Sequence, residues 1–405
     1  MININLLFFS FFGIMYIISN KLKISLDIKN ISLFLFFLLN IFNSLLNLEL
    51  IGLQNFLKSI FLIKFFFFYI ILDTLFKYNK ISLKYFFNII LFLSIFISLD
   101  INLQYLFGKN ILGYSPHDGR ISGMFGAEAI GGAFLQKLFI PSLIGIIFFI
   151  LPIKKYNLIL QSLIFISIIT AIFISNNRIS FILIIFLIPF IILLFKNFRK
   201  SLILSFVIIV PILYYIFQND SEINKRYYKF FVVVHKYVAV DNITNTSEEK
   251  INLETGSKSI NNKYYSDHAK IYNTALKSFK ENILFGNGLK SFRYNCSKFL
   301  NEENTLCSTH PHNYHLEILN DTGLVGFFIL TFFVFSLLWK TLIKIKSKNL
   351  DYTEKLILAL LMINLLLEIF PFKSTGSFFT TWNGTLIWIT ISLVSYISYE
   401  KKNKY

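Results

Sequence analysis

Charge is scarce in this sequence. Asp, Glu, Lys and Arg together make up 15% of its 405 residues, while 55% are hydrophobic; a soluble domain carries about 25% charged residues. An ordinary soluble domain is therefore excluded. Cysteine occurs only at Cys296 and Cys307, so a disulfide-rich scaffold is excluded as well. The C-x2-C and H-x3-H spacings of structural zinc are missing, as are the glycine fingerprints of nucleotide-binding loops. The first apolar run, about 4–19, has no basic leader or small-residue cleavage signal, and it is expected to stay as an uncleaved span.

Hydrophobic runs are abundant. Phe alone supplies 49 residues. Apolar stretches at about 4–19, 31–47, 56–77, 85–101, 132–152, 157–174, 180–195, 201–217, 323–342, 355–371 and 382–398 approach the ~20 residues that cross a bilayer. The expectation is an all-α polytopic membrane protein with about eleven (10–12) transmembrane helices. It divides into N-terminal spans (1–101), a first outer loop (102–131), central spans (132–217), a large outer loop (218–322) and C-terminal spans with a tail (323–405).

The net charge of +17 suggests nucleic acid, but its placement argues otherwise. Lys77, Lys80 and Lys84, then Lys196, Arg199 and Lys200, then Lys340, Lys344, Lys346 and Lys348 fall in alternate connections. The positive-inside bias puts these in the cytoplasm, with the C-terminus, and both large loops on the opposite side. Membrane lipids are the expected surroundings, and no nucleic-acid partner is expected.

The large loop is too long for a simple connection. Its stretch 244–263 is polar and low in aromatics, and is read as flexible. At about 266–281, Ile271, Ala275, Leu276 and Phe279 share one helical face. Two glycines around Asn287 then mark a turn. Outside the cytoplasm, Cys296 and Cys307 read as a disulfide; a metal site using them with nearby histidines is the alternative. Three of the six histidines, His310, His312 and His315, cluster just before a hydrophobic block. With Thr309 as cap and Pro311 in the first turn, a helix would begin there. Its dipole would keep His312 neutral. A neutral imidazole with a carboxylate nearby, such as Glu317, is a general base. The plainer reading is polar side chains at a membrane interface.

Only five arginines occur, at 120, 178, 199, 226 and 293. In so lysine-rich a chain an arginine points to the bidentate fork. Arg178 sits in SNNRIS between two apolar runs, where it is either an interface anchor or a clamp for a lipid-linked phosphate. Arg120 lies among glycines that suggest a tightly folded segment.

These motifs resemble the O-antigen ligase/polymerase family of bacterial envelope glycosyltransferases. His312, Asn313, nine residues, Gly323, two residues and Gly326 reproduce the family's His-Asn-x9-G-x-x-G pattern. ALKSFKENILFGNGLKSFR at 275–293 resembles its amphipathic helix, G-x-G turn and aromatic-Arg pair. SNNRIS and GRISGMFG resemble two further patches. The resemblance covers about 120–330. It implies a GT-C-like fold in the bacterial inner membrane. It also implies a glycan donor on undecaprenyl diphosphate and a glycolipid acceptor, either lipid A-core or a lipid-linked repeat. Transfer would invert the anomeric centre and need neither nucleotide, metal nor other cofactor. It assigns His312 as the base, beside Asn313, and Arg178 as the diphosphate clamp. The family's second arginine is replaced here by DHAK, which leaves His268, Lys270, Arg293 and Arg120 as candidates for the second cation. His310 and His315 are the acceptor-side candidates. A transporter is the reading from another class, favoured by Asp73 and Glu368 inside apolar runs.

Overall fold

In hydrocarbon every backbone polar group needs an internal partner, and helices provide it. The computed structural model describes residues 2–24, 27–153, 156–240, 267–348 and 350–398. Every regular element among them is helical. The chain begins with α1 (Ile2–Ser19), α2 (Ile28–Leu46), α3 (Leu48–Phe61), α4 (Ile63–Lys77) and α5 (Leu83–Phe107). The central group is α6 (Gly131–Phe149), α7 (Asn157–Ile174), α8 (Arg178–Leu194) and α9 (Lys196–Asn219). Then come α10 (Ser221–Val240), α11 (Asp267–Glu281) and the short α12 (Phe292–Asn295). The last three are α13 (Tyr314–Lys346), α14 (Tyr352–Glu368) and α15 (Thr381–Ser398).

Each expected span falls on a helix, the third on the α3–α4 pair, and among the described residues length and composition single out seven as able to cross a membrane. These are α2, the α3–α4 pair taken together, α5, α6, α7, α9 and α13. α1 and α8 are apolar but shorter. Large apolar side chains such as Phe12, Phe186 and Phe335 face outward, as a lipid-facing surface requires. Inside, Trp388 on α15 is almost fully buried. Phe37, Phe65, Tyr69, Phe333 and Phe378 pack around it, so one ring ties α2, α4, α13 and α15 together.

Two connections differ from the sequence expectation. α5 continues to Phe107, which leaves 108–130 as the first connection. Two α5 side chains fold that segment down. Asp100 accepts from the Ile111 amide at 2.9 Å, and Gln104 accepts from the Ser122 and Gly123 amides at 3.1 and 2.8 Å. The second connection opens with a helix, α10, and not with loop. Asp220 caps it by accepting from the Glu222 and Ile223 amides. The stretch 244–263, expected to be flexible, lies outside the described residues.

Candidate active site

The spacing from Asn313 to Gly323 has a structural origin. Asn313, not Thr309, caps α13: its side-chain oxygen accepts from the Leu316 amide at 3.1 Å. Thr309 and Pro311 lie before the helix. Asn313 wins because its amide nitrogen has its own partners, the Pro371 carbonyl at 2.6 Å and the Lys373 carbonyl at 3.5 Å. The helix then runs about two and a half turns to Gly323, where a φ of 64° kinks it. The amides released by the kink are taken up by the 283–288 segment. Leu324 donates to the Ile283 carbonyl at 2.9 Å and Val325 to Leu284 at 3.1 Å. In return, Asn287 donates to the Asn320 carbonyl at 2.8 Å and Gly288 to Asp321 at 3.1 Å. The G-N-G turn and the kink therefore satisfy each other's backbone groups.

The same turn is anchored to the transmembrane bundle. Asn43 donates to the Phe285 carbonyl, and the Leu289 amide donates to Ser44 at 3.1 Å. Behind it, Ile271, Ala275, Phe292 and Cys296 form a small core. Cys296 and Cys307 are joined by a disulfide on its edge. The buried face of α11 is Ile271, Thr274, Ala275 and Ser278, whereas Leu276 is exposed.

His312 precedes the helix and does not occupy its first turn. Its backbone is left-handed, with φ 56°, a conformation that costs a non-glycine residue about 1–2 kcal/mol. It is held there through its carbonyl, which accepts from the Thr375 amide at 2.8 Å and the Tyr272 hydroxyl at 3.4 Å. The imidazole Nε2 lies 3.2 Å from the Ser308 hydroxyl. Its ring centre is 4.1 Å from that of His310 and 5.2 Å from that of His268 on α11. Burial, not the helix dipole, is the first cause that keeps His312 below the ordinary histidine range. Partial desolvation also lowers the surface-exposed His268, with the charges of His312 and Arg178 adding to it, and burial takes His310 down to about 4. The His310 Nε2 is buried and has no hydrogen-bond partner among the described residues.

His315 is engaged elsewhere. Its Nε2 is 2.7 Å from the Ile369 carbonyl and its ring packs on Phe327. Glu317 is fully buried, and its carboxylate takes the Ser377 hydroxyl and the Phe378 amide. An imidazole is not among these partners, so Glu317 anchors the 377–378 backbone. Lys290 lies near Glu317 and Asp321, which act to raise its pKa against the lowering by burial. Nearby Arg293 has a buried Nε without a hydrogen-bond partner among the described residues.

Arg178 starts α8. It donates to the Arg226 carbonyl at 3.1 Å and lies over the Phe230 ring. Its charge is felt at His268, which in turn faces His312. Arg120 lines a small cavity with His117, Asp118 and Arg226, the residue whose carbonyl accepts from Arg178. Lys270, two residues after His268 on α11, lies on a different face of that helix.

Sequence reasoning missed the connection between α14 and α15. Its residues 371–378 form a strap that touches the 312–317 segment at Thr375, Ser377 and Phe378. At its base, Glu368 pairs with Lys137 of α6 and with Lys373 at 3.5 Å. The one visible signal was a short polar run, KSTGS, between two apolar stretches.

Long apolar helices, with a compact polar segment folded back on their ends and imidazoles gathered near an arginine, point to a multi-pass membrane protein. Residues 163–331 match the family model described as O-antigen ligase. That match, over less than half of the chain, supports an O-antigen ligase/polymerase family assignment. The matched span takes in Arg178, the three histidines and both motif glycines. No curated protein matches the chain at a significant level.

Proposed function

We propose that the protein is an O-antigen ligase-like glycosyltransferase with about eleven spans in the bacterial inner membrane. It moves a glycan from an undecaprenyl-diphosphate donor to a glycolipid acceptor at the periplasmic face. The observation that carries this reading is the approach of His312 to His268 at 5.2 Å, with the charge of Arg178 acting on His268. An imidazole kept neutral and a fixed guanidinium are the two groups that such a transfer needs.

The acceptor hydroxyl attacks the anomeric carbon of the donor sugar from the face opposite the diphosphate. His312 Nε2 takes the hydroxyl proton as the new C–O bond forms, a contribution of about 10²–10⁴-fold. The bond from the anomeric carbon to the diphosphate oxygen breaks, and its electron pair leaves with the diphosphate. Arg178 stabilises the charge gathering there, in a site where little has to reorganise. Arg293 and His268 are the assisting groups in this reading; the Arg293 Nε has no hydrogen-bond partner among the described residues.

The polymerase alternative uses the same donor and differs in acceptor, a second lipid-linked repeat. Of the two carboxylates behind the transporter reading, Asp73 stays buried in α4, while Glu368 closes α14 in ion pairs with Lys137 and Lys373. Lipid analysis of a deletion strain tests the proposal. The ligase reading expects lipid-linked long chains to accumulate. Acceptors capped with a single repeat would indicate the polymerase. Unchanged glycolipids would overturn both.

A further inference from the structure

Two ammonium groups and one carboxylate are buried together beneath the strap. Lys137, Glu368 and Lys373 each expose 6% or less of their side chains. Lys137 comes from α6, Glu368 ends α14, and Lys373 lies within 371–378. Lys137 also reaches the Tyr314 hydroxyl at 3.4 Å and lies near the Tyr314 and Trp382 rings. Burying such charges is costly unless they are paired and held in good geometry. Hydrophobic residues of similar size would be a cheaper way to fill this space, so packing alone gives no reason for the cluster.

The strap tied down by this cluster makes its polar contacts to the candidate base and its neighbours. The Pro371 and Lys373 carbonyls take the Asn313 side chain. The Thr375 amide holds the His312 carbonyl, and the Phe378 amide holds Glu317. His312 needs that grip because its backbone is left-handed.

We propose that Lys137, Glu368 and Lys373 form a positioning network, which acts through the 371–378 strap to fix the backbone of His312 and so aim its imidazole at the acceptor. The network touches neither donor nor acceptor. This inference rests on the role given to His312 above. The charged groups facing Lys373 are Glu368 on α14 and Lys137 on α6, and the Tyr314 hydroxyl of α13 lies 3.4 Å from Lys137. Burial brings Lys373 down to about 8, against the pull of Glu368. Losing its proton leaves Glu368 to Lys137 alone and loosens the strap, so transfer acquires an alkaline limb.

The full chain in detergent or vesicles, assayed for glycan transfer and for amide hydrogen exchange, tests this. Glu368→Gln and Lys137→Met should lower kcat by about tenfold or more with KM for the donor little changed. In both variants the Thr375 and Phe378 amides should exchange faster, while α7 and α9 exchange as before. Lys373→Arg should restore kcat and move the alkaline limb upward, and Lys373→Met should not. Unaltered exchange at 371–378 in the Glu368→Gln and Lys137→Met variants overturns the network, whatever the activity. So does an alkaline limb that Lys373→Arg leaves in place. Faster exchange together with full activity in a His312→Ala variant would keep the network and reject the function assigned to His312. A variant that fails to fold is replaced by the milder Lys137→Arg, for which wild-type kcat and exchange are expected; a loss there equal to that of Lys137→Met also counts against the proposal.

Discussion

The main chains of Gly286 and Gly323 meet with no room between them. A Cβ on either one would overlap backbone atoms of the 283–286 turn or of the kink at 322–323. Both residues also have positive φ, 75° and 64°. Alanine at either site is expected to cost at least about 1–2 kcal/mol for conformation alone, with the overlap added. Thermal unfolding in detergent should show a clear fall in midpoint for G286A and G323A, and a smaller one for G113A, where a Cβ meets nothing.

Asn313 performs two tasks that mutation can separate. Asn313→Ala removes the cap, worth about 1 kcal/mol, and also frees the strap at Pro371. Asn313→Asp keeps the cap acceptor but loses the amide donors to Pro371 and Lys373. Transfer should drop in both variants, whereas the helix-start contribution to stability should fall only in the alanine variant. Unfolding midpoints and kcat measured together check the split.

Arg178 tests the leaving-group side. Arg178→Ala should lower kcat by about 10²–10³-fold, the usual effect of losing one preplaced donor to developing charge. Arg178→Lys should fall between, since it keeps charge but not the fork. Steady-state rates with a lipid-diphosphate donor provide the measure.

The pH dependence has a definite sign. His268, His310 and His312 have folded pKa values below their unfolded value of 6.5. Between the folded values and 6.5 the unfolded chain binds more protons, so their contribution to stability is complete above about pH 6.5. It is lost as pH falls toward the folded values, about 4 for His310. Transfer should show an acid limb with its midpoint below 6.5, since His312 must be neutral to accept a proton. A pH–rate profile and unfolding midpoints across pH 4–7 check both.

How much of this was legible depended on whether the signal was local. The amphipathic stripe at 266–281 foretold α11 (Asp267–Glu281), and Gly286 and Gly288 announced the turn. Each long apolar run became a helix because hydrocarbon leaves the backbone no other choice. What stayed hidden depended on partners far along the chain. Asn313 displaced Thr309 as the cap because Pro371, 58 residues away, completes its hydrogen bonding. Glu317 looked like a partner for His312, but Ser377 and Phe378 claim it. Lys137, Glu368 and Lys373 were three scattered charges until helix packing put them together. α10 was passed over although Ile223, Tyr227 and Phe230 recur at helical spacing in it.

The most direct test of the account replaces His312 by Ala and measures glycan transfer from a lipid-diphosphate donor by protein that inserts in the membrane at the wild-type level. A fall in kcat of about 10²–10⁴-fold is expected, with donor KM nearly unchanged. Transfer at the wild-type rate would contradict the role of His312 and the mechanism built on it.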